Sequence, residues 1–117
     1  RLEQLLLANQ PEQAAEVVNR WMHDFPADFV SGRPLLWLGR IAIARGEPGQ
    51  AVRPLRMAVD LSTGALHETR ARWWLAEAYR GAGDEPAYRR TLEALVAMNV
   101  RDPYRNRALE RLKELQP

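Results

Sequence analysis

The 117-residue sequence contains no cysteine, only two histidines, and a single lysine, Lys113, among its 17 basic residues. The absence of cysteine excludes disulfides and thiolate metal sites, and it is compatible with either the cytoplasm or a periplasm. No apolar run approaches the roughly 18 residues that a membrane-spanning helix needs, so we expect no membrane span. His23 and His67 have no second ligand at helical spacing, so we predict neither a metal nor a cofactor.

Charge is nearly balanced, with 17 basic residues against 15 acidic ones and a net charge of +2. Acidic residues are interleaved with the arginines and lysine is almost missing, whereas a surface that follows phosphates normally accumulates both bases. We therefore do not favour a nucleic-acid partner. The preference for arginine reflects either the base composition of the gene or the recognition of carboxylates and phosphates by planar, bidentate guanidinium groups.

The chain repeats itself at an offset of 37 residues. This offset aligns identical residues in successive copies: Arg33 with Arg70 and Arg107, Trp37 with Trp74, Gly46 with Gly83, and Leu55 with Leu92. So many coincidences at one offset indicate an internal repeat, whose units stack to bury a common core.

Each unit is predicted to form two helices. Apolar or small residues at positions 35, 38, 39 and 42 follow the spacing of one helical face. Gly46 is expected to end the first helix, and Pro48 suits the first turn of the second, where its missing N–H costs nothing. We predict seven helices and no strand, with approximate bounds 1–9, 11–24, 34–45, 48–61, 66–81, 86–99 and 103–115.

Two segments resemble the tetratricopeptide repeat: LGRIAIARGEPGQAVRPLRMA (38–58) and LAEAYRGAGDEPAYRRTLEAL (75–95). The first carries the Leu-Gly pair of that family and a glycine between its helices. The resemblance implies an all-α, right-handed solenoid of antiparallel helix pairs. Lys113 stands where earlier copies have the small residues Gly39 and Ala76, which predicts that the last helix is a C-terminal capping helix. The period of 37 exceeds the usual 34, and Tyr88 replaces an expected alanine. Sel1-like repeats are the alternative, but their extended loop between paired helices is missing.

We predict one domain over residues 1–117. It comprises a partial first repeat (1–32), a second repeat (33–64), a third repeat (65–101) and a capping segment (102–117). The first residues already belong to an apolar-periodic segment, so we expect the sequence to be a piece of a longer protein.

The candidate site lies on the first helix of each unit, where positions i, i+4 and i+7 share a face. First helices line the concave groove of tetratricopeptide proteins, so the resemblance implies that these residues face a groove. Arginine forks beside indole rings suit an acidic peptide or a C-terminal carboxylate. Alternatively, the tryptophans pack between repeats and the arginines pair with glutamates. The candidate residues are Arg33, Trp37, Arg40, Arg70, Trp74, Glu77, Arg80, Arg107 and Arg111.

No catalytic constellation is evident, because the serines and threonines lie outside any nucleophile-elbow context and RGAGDEP lacks the Lys-Ser/Thr end of a phosphate-binding loop. We therefore expect a non-catalytic module that binds a protein or peptide. One alternative is a structural segment that self-associates through its N-terminal repeat. The other is a regulatory accessory domain of a larger enzyme or transport complex.

Overall fold

The computed structural model describes residues 1–115, and all regular secondary structure in this range is helical. The last two positions of the predicted capping segment lie outside the described residues. Seven α-helices occur within the described range: α1 (Leu2–Leu7), α2 (Pro11–Asp24), α3 (Arg33–Ala44), α4 (Pro48–Asp60), α5 (Ala65–Ala82), α6 (Glu85–Val96) and α7 (Pro103–Leu115). No helix among residues 1–115 combines the length and the apolar character needed to cross a membrane.

The joint after α2 contains a 3-10 helix, Pro26–Ser31, that the apolar periodicity did not predict. Pro26 supplies a fixed φ at its first turn, and the Ser31 hydroxyl donates a hydrogen bond to the Asp28 carbonyl at 2.7 Å. The indole N–H of Trp21 donates to the Asp28 carboxylate at 2.8 Å and so ties the segment to α2. These polar contacts do not depend on an apolar stripe, which explains why periodicity missed the segment.

Two glycines at repeat-equivalent positions end the helices α3 and α5. Gly46 and Gly83 have φ values of +78° and +79°, a left-handed conformation that glycine adopts without a Cβ penalty. The N–H group one residue later then turns back to a carbonyl in the last helical turn: Glu47 to Ala42 at 2.9 Å, and Asp84 to Tyr79 at 3.0 Å. The predicted ends at Gly46 and Gly83 are confirmed.

The core consists of three apolar clusters that follow one another along the chain. Side chains of α1, α2 and α3 form the first cluster, those of α3, α4 and α5 the second, and those of α5, α6 and α7 the third. Because α3 and α5 each contribute to two clusters, the helices are joined into one continuous packed body. Val18, Leu55 and Leu92, which are separated by the repeat offset, are all fully buried.

Close packing of α3 against α4 depends on a small residue at position 39. A Cβ atom built on Gly39 would lie 2.3 Å from Cγ of Leu55, which is itself fully buried. The two helices can approach this closely only because position 39 has no side chain. In α7, the residue at the equivalent position of the 37-residue offset is Lys113, whose side chain is exposed.

Candidate functional site

The nine predicted groove residues all lie on α3, α5 and α7, and the structure brings these helices together. Contacts join α1 to α3, α3 to α5, and α5 to α7, in addition to those between consecutive helices. Side chains at equivalent repeat positions therefore lie on adjacent helices. The nine residues nevertheless fall into two groups, one paired within the chain and one exposed.

Arg40 is the centre of the first group. Its guanidinium carbon lies over two indole rings, 4.7 Å from the centroid of Trp37 on its own helix and 4.3 Å from that of Trp74 on α5. Nη1 and Nη2 donate to the two carboxylate oxygens of Glu3 on α1, the second bond being 3.0 Å long. Only 13% of the Arg40 side chain is exposed. We call Glu3, Trp37, Arg40 and Trp74 the Arg40 cluster.

Arg111 is also paired within the chain. It donates to the Glu77 carboxylate at 2.9 Å and to the Tyr88 hydroxyl at 3.2 Å, which links α7 to α5 and α6. Its guanidinium carbon lies 5.0 Å from the ring centroid of Trp73, which is buried. Glu77 is in addition 3.6 Å from the more exposed Arg80. Arg111 and Arg80 are therefore paired with Glu77, as in the alternative in which the arginines pair with glutamates.

Arg33, Arg70 and Arg107 form the second group, which we call the arginine row. All three are exposed, and none forms an ion pair within residues 1–115. The guanidinium carbons of Arg70 and Arg107 lie 6.0 and 5.0 Å from the ring centroid of Tyr104. These cations therefore remain available to an external anion, on a surface that carries an aromatic ring.

A cleft of about 490 Å³ is lined by both Arg33 and Arg70. Its walls combine these two cations with apolar and aromatic side chains, and Leu66 is 68% exposed there. Trp21 is half-buried and contributes to the wall. The walls include Trp21, Arg33, Trp37, Leu66, His67 and Arg70. We call this pocket the His67 cleft.

His67 is half-buried in the cleft wall. Burial lowers the pKa of its imidazole, and the positive charges of Arg33 and Arg70 lower it further. Its Nδ1 lies 3.0 Å from the hydroxyl of Ser62, and that hydroxyl lies 2.7 Å from the Ala58 carbonyl, where it can donate. The two arginines therefore disfavour the protonated form of the His67 imidazole.

Metal ligands are not clustered in the described part of the chain, where no group of three or more acidic or histidine side chains could hold an ion. At the start of α6, Asp84 accepts a hydrogen bond from the Ala87 N–H at 3.2 Å. Asp102 likewise accepts from the Tyr104 N–H at 2.8 Å at the start of α7. These carboxylates therefore have structural partners.

Sequence reasoning missed Glu3 and Tyr104 as members of this surface. A signal for Glu3 was present, because Glu3 precedes Arg40 by one repeat offset, and Glu77 follows Arg40 by the same offset. Tyr104 carried only the signal of an apolar stripe in the last helix. Its proximity to Arg70 depends on how α7 packs against α5, which no spacing within one helix encodes.

Comparison of the chain with protein-family models, with curated proteins and with solved structures gives no match.

Proposed function

We propose that this chain is a non-catalytic interaction module that holds an acidic protein segment along the arginine row. In this proposal the helices form a tetratricopeptide-like, right-handed solenoid of antiparallel pairs, and α3, α5 and α7 line its groove. The contacts between alternate helices support this arrangement, as do the buried side chains at 37-residue spacing. The glycine turns at Gly46 and Gly83 support it further, because they have the same geometry in both repeats.

The observation that carries the proposal is the division of the arginines on this face. Arg40 and Arg111 have glutamate partners, whereas the arginine row has none within residues 1–115. Three exposed guanidinium groups on adjacent helices repel one another unless anions screen them. Carboxylates spaced along an extended peptide would supply those anions and accept forked hydrogen bonds.

Apolar surface beside the cations favours a peptide over a simple ion. The His67 cleft offers the exposed Leu66 and the half-buried Trp21 between Arg33 and Arg70. An apolar side chain of the partner placed there would remove both surfaces from water, at about 25 cal/mol per Å² buried. Tyr104 offers a second aromatic contact between Arg70 and Arg107. The ligand that fits these features is a segment combining acidic and apolar residues.

The test is a titration with a fluorescein-labelled peptide of alternating glutamate and leucine residues that ends in a free carboxylate. Arg33→Glu combined with Arg70→Glu is expected to weaken binding at least tenfold, about 1.4 kcal/mol or more. The matched control is Arg53→Glu with Arg56→Glu, which makes the same charge change at two exposed arginines of α4. The control is expected to change affinity by less than about twofold beyond the common effect of net charge.

Circular dichroism must first show that both double variants retain the helical content of the parent chain. A peptide in which glutamine replaces every glutamate and the C-terminus is amidated should bind weakly to all three proteins. The proposal is lost if the acidic peptide does not bind the parent chain, or if the two double variants bind it equally well.

Self-association through the N-terminal repeat is a second candidate function, favoured by exposed apolar side chains at that end. Phe25 and Val30 flank or belong to the 3-10 helix and are 62% and 70% exposed. Burying these groups against another copy would stabilise an assembly. Light scattering over a range of protein concentrations tests this directly. A mass that stays that of one chain at every concentration contradicts self-association.

A further inference from the structure

The Arg40 cluster has the construction of a carboxylate-binding site. Two guanidinium nitrogens of Arg40 bond both oxygens of the Glu3 carboxylate, while its guanidinium carbon lies over the rings of Trp37 and Trp74. Fork-on-carboxylate bonding and aromatic stacking are the two interactions that favour arginine over lysine at an anion site. The Arg40 guanidinium is therefore already positioned to bind a carboxylate, and the carboxylate that it binds is that of Glu3 in the same chain.

The two sides of this contact are anchored very differently. Trp37 and Trp74 pack against core clusters, and the Arg40 side chain is 13% exposed. Glu3 is 52% exposed and lies on α1, a helix of six residues in which none is fully buried. Partly buried Leu2, Leu5 and Leu6 are the apolar contacts of α1 with the core. Displacement would therefore move Glu3 and leave Arg40 in place.

The cluster is continuous with the arginine row. Trp37 contributes one ring to the cluster and also lines the His67 cleft with Arg33 and Arg70. The hydrogen bond from Arg40 lowers the pKa of the Glu3 carboxyl, and the charges of Arg40 and Arg70 contribute to the same shift. Glu3 thus lies within the electrostatic reach of the surface on which the proposed peptide would bind.

We infer that Glu3 is an internal competitor, which occupies the Arg40 site in place of a partner carboxylate and so restrains binding of the acidic ligand. This inference rests on the proposed function and adds a regulatory contact to it. Release of Glu3 makes a further guanidinium available beside Arg33 and Arg70. A site that is only fractionally open binds its ligand with an affinity reduced by that fraction, so removing the competitor raises the measured affinity.

The experiment uses the same acidic peptide and the variant Glu3→Gln. Glutamine lacks the negative charge with which the Glu3 carboxylate binds the Arg40 guanidinium. Peptide affinity is therefore expected to rise at least about fivefold. The matched control is Glu12→Gln. Glu12 forms a similar forked pair with Arg45, with bonds of 2.7 and 2.9 Å, but no aromatic ring covers that cation among the described residues. The control is expected to change affinity by less than about twofold, as for loss of one distant surface charge.

The Glu3→Gln substitution is repeated in a chain that also carries Arg40→Met. This comparison separates competition between Glu3 and the peptide for Arg40 from the general electrostatic effect of removing one negative charge. If Glu3 competes for Arg40, the gain from Glu3→Gln should disappear in this background. If Arg40→Met does not fold, Arg40→Lys replaces it; lysine keeps the charge but cannot span two carboxylate oxygens, so the gain should shrink.

The inference is overturned if Glu3→Gln brings no gain over Glu12→Gln, or if the gain persists unchanged without Arg40. Either result leaves the proposed function intact, provided that the Arg33 and Arg70 charge reversal still weakens binding. If the parent chain does not bind the acidic peptide, the proposed function and this inference fall together.

Discussion

The guanidinium carbon of Arg40 lies 4.3 Å from the centroid of the Trp74 indole ring, although the two residues are on different helices and 34 positions apart. The same side chain bonds Glu3 on α1. One arginine therefore joins α1, α3 and α5 on the face proposed to bind a partner. Replacing Arg40 should therefore change the free energy of unfolding as well as the binding of a partner.

Arg40→Lys is expected to lower the free energy of unfolding by about 1–2 kcal/mol. Lysine keeps the positive charge but loses the second bond to Glu3 and the contact of the guanidinium with two rings. Urea unfolding followed by tryptophan fluorescence measures the change. Arg53→Lys on α4 is the control, expected to change stability by less than about 0.5 kcal/mol. Equal midpoints for the two variants would show that the Arg40 cluster contributes nothing.

Glu3→Gln is expected to destabilise the chain at neutral pH, and the difference from the parent should disappear in acid. Bonding to Arg40 lowers the pKa of the Glu3 carboxyl in the folded state. The unfolded chain therefore binds more protons between the folded and unfolded pKa values, so this stabilisation is complete above about pH 4.3 and is lost as pH falls through the folded pKa. Unfolding of both proteins at pH 7 and pH 3 measures it; a pH-independent difference contradicts the ion-pair explanation.

Gly39→Ala is expected to destabilise the α3–α4 contact, with a net loss of about 1–2 kcal/mol. The new methyl would overlap the buried Leu55 side chain, and overpacking of this kind outweighs the gain in helix propensity. Gly49→Ala on α4 is the control, because outside its chain neighbours and its own helix backbone nothing lies within 4 Å of the added Cβ. That variant should be neutral or more stable by up to about 1 kcal/mol. Thermal or urea unfolding that ranks the two variants in the opposite order contradicts the close approach.

Asp84→Ala is expected to lower the free energy of unfolding by about 1 kcal/mol, because α6 loses the side-chain oxygen that accepts the Ala87 N–H. Glu47 occupies the equivalent position before α4, one repeat offset earlier, and its side chain makes no capping bond. Glu47→Ala should therefore cost clearly less. The comparison of urea midpoints tests the cap itself, and equal losses in both variants would mean that the Asp84 hydrogen bond is not the cause.

Most helix bounds could be predicted because they depend on local chemistry. Gly46 and Gly83 end their helices, and Pro48 and Pro103 begin theirs, through backbone constraints that act within a few residues. The end of α1 was predicted less well. Position 9 was assigned to that helix, but Asn9 has a φ of +58° and lies in the turn before α2.

The candidate site was predictable only in part. The offset of 37 identified Arg33, Arg70 and Arg107 as equivalents, and the structure leaves all three exposed. Nothing in that offset distinguishes them from Arg40, which the structure pairs with Glu3 and covers with Trp37 and Trp74. The peptide-binding role of these residues stays a prediction.

The order of side chains along the chain was enough to determine an all-helical chain, the turns between its helices and the residues that recur in each repeat, because hydrogen bonding within a helix and the conformational limits of proline and glycine are local. Only tertiary packing decided which arginines are paired and which are exposed. A salt bridge such as Glu3 to Arg40 joins residues 37 positions apart, and it forms only when α1 and α3 bring the two charges together.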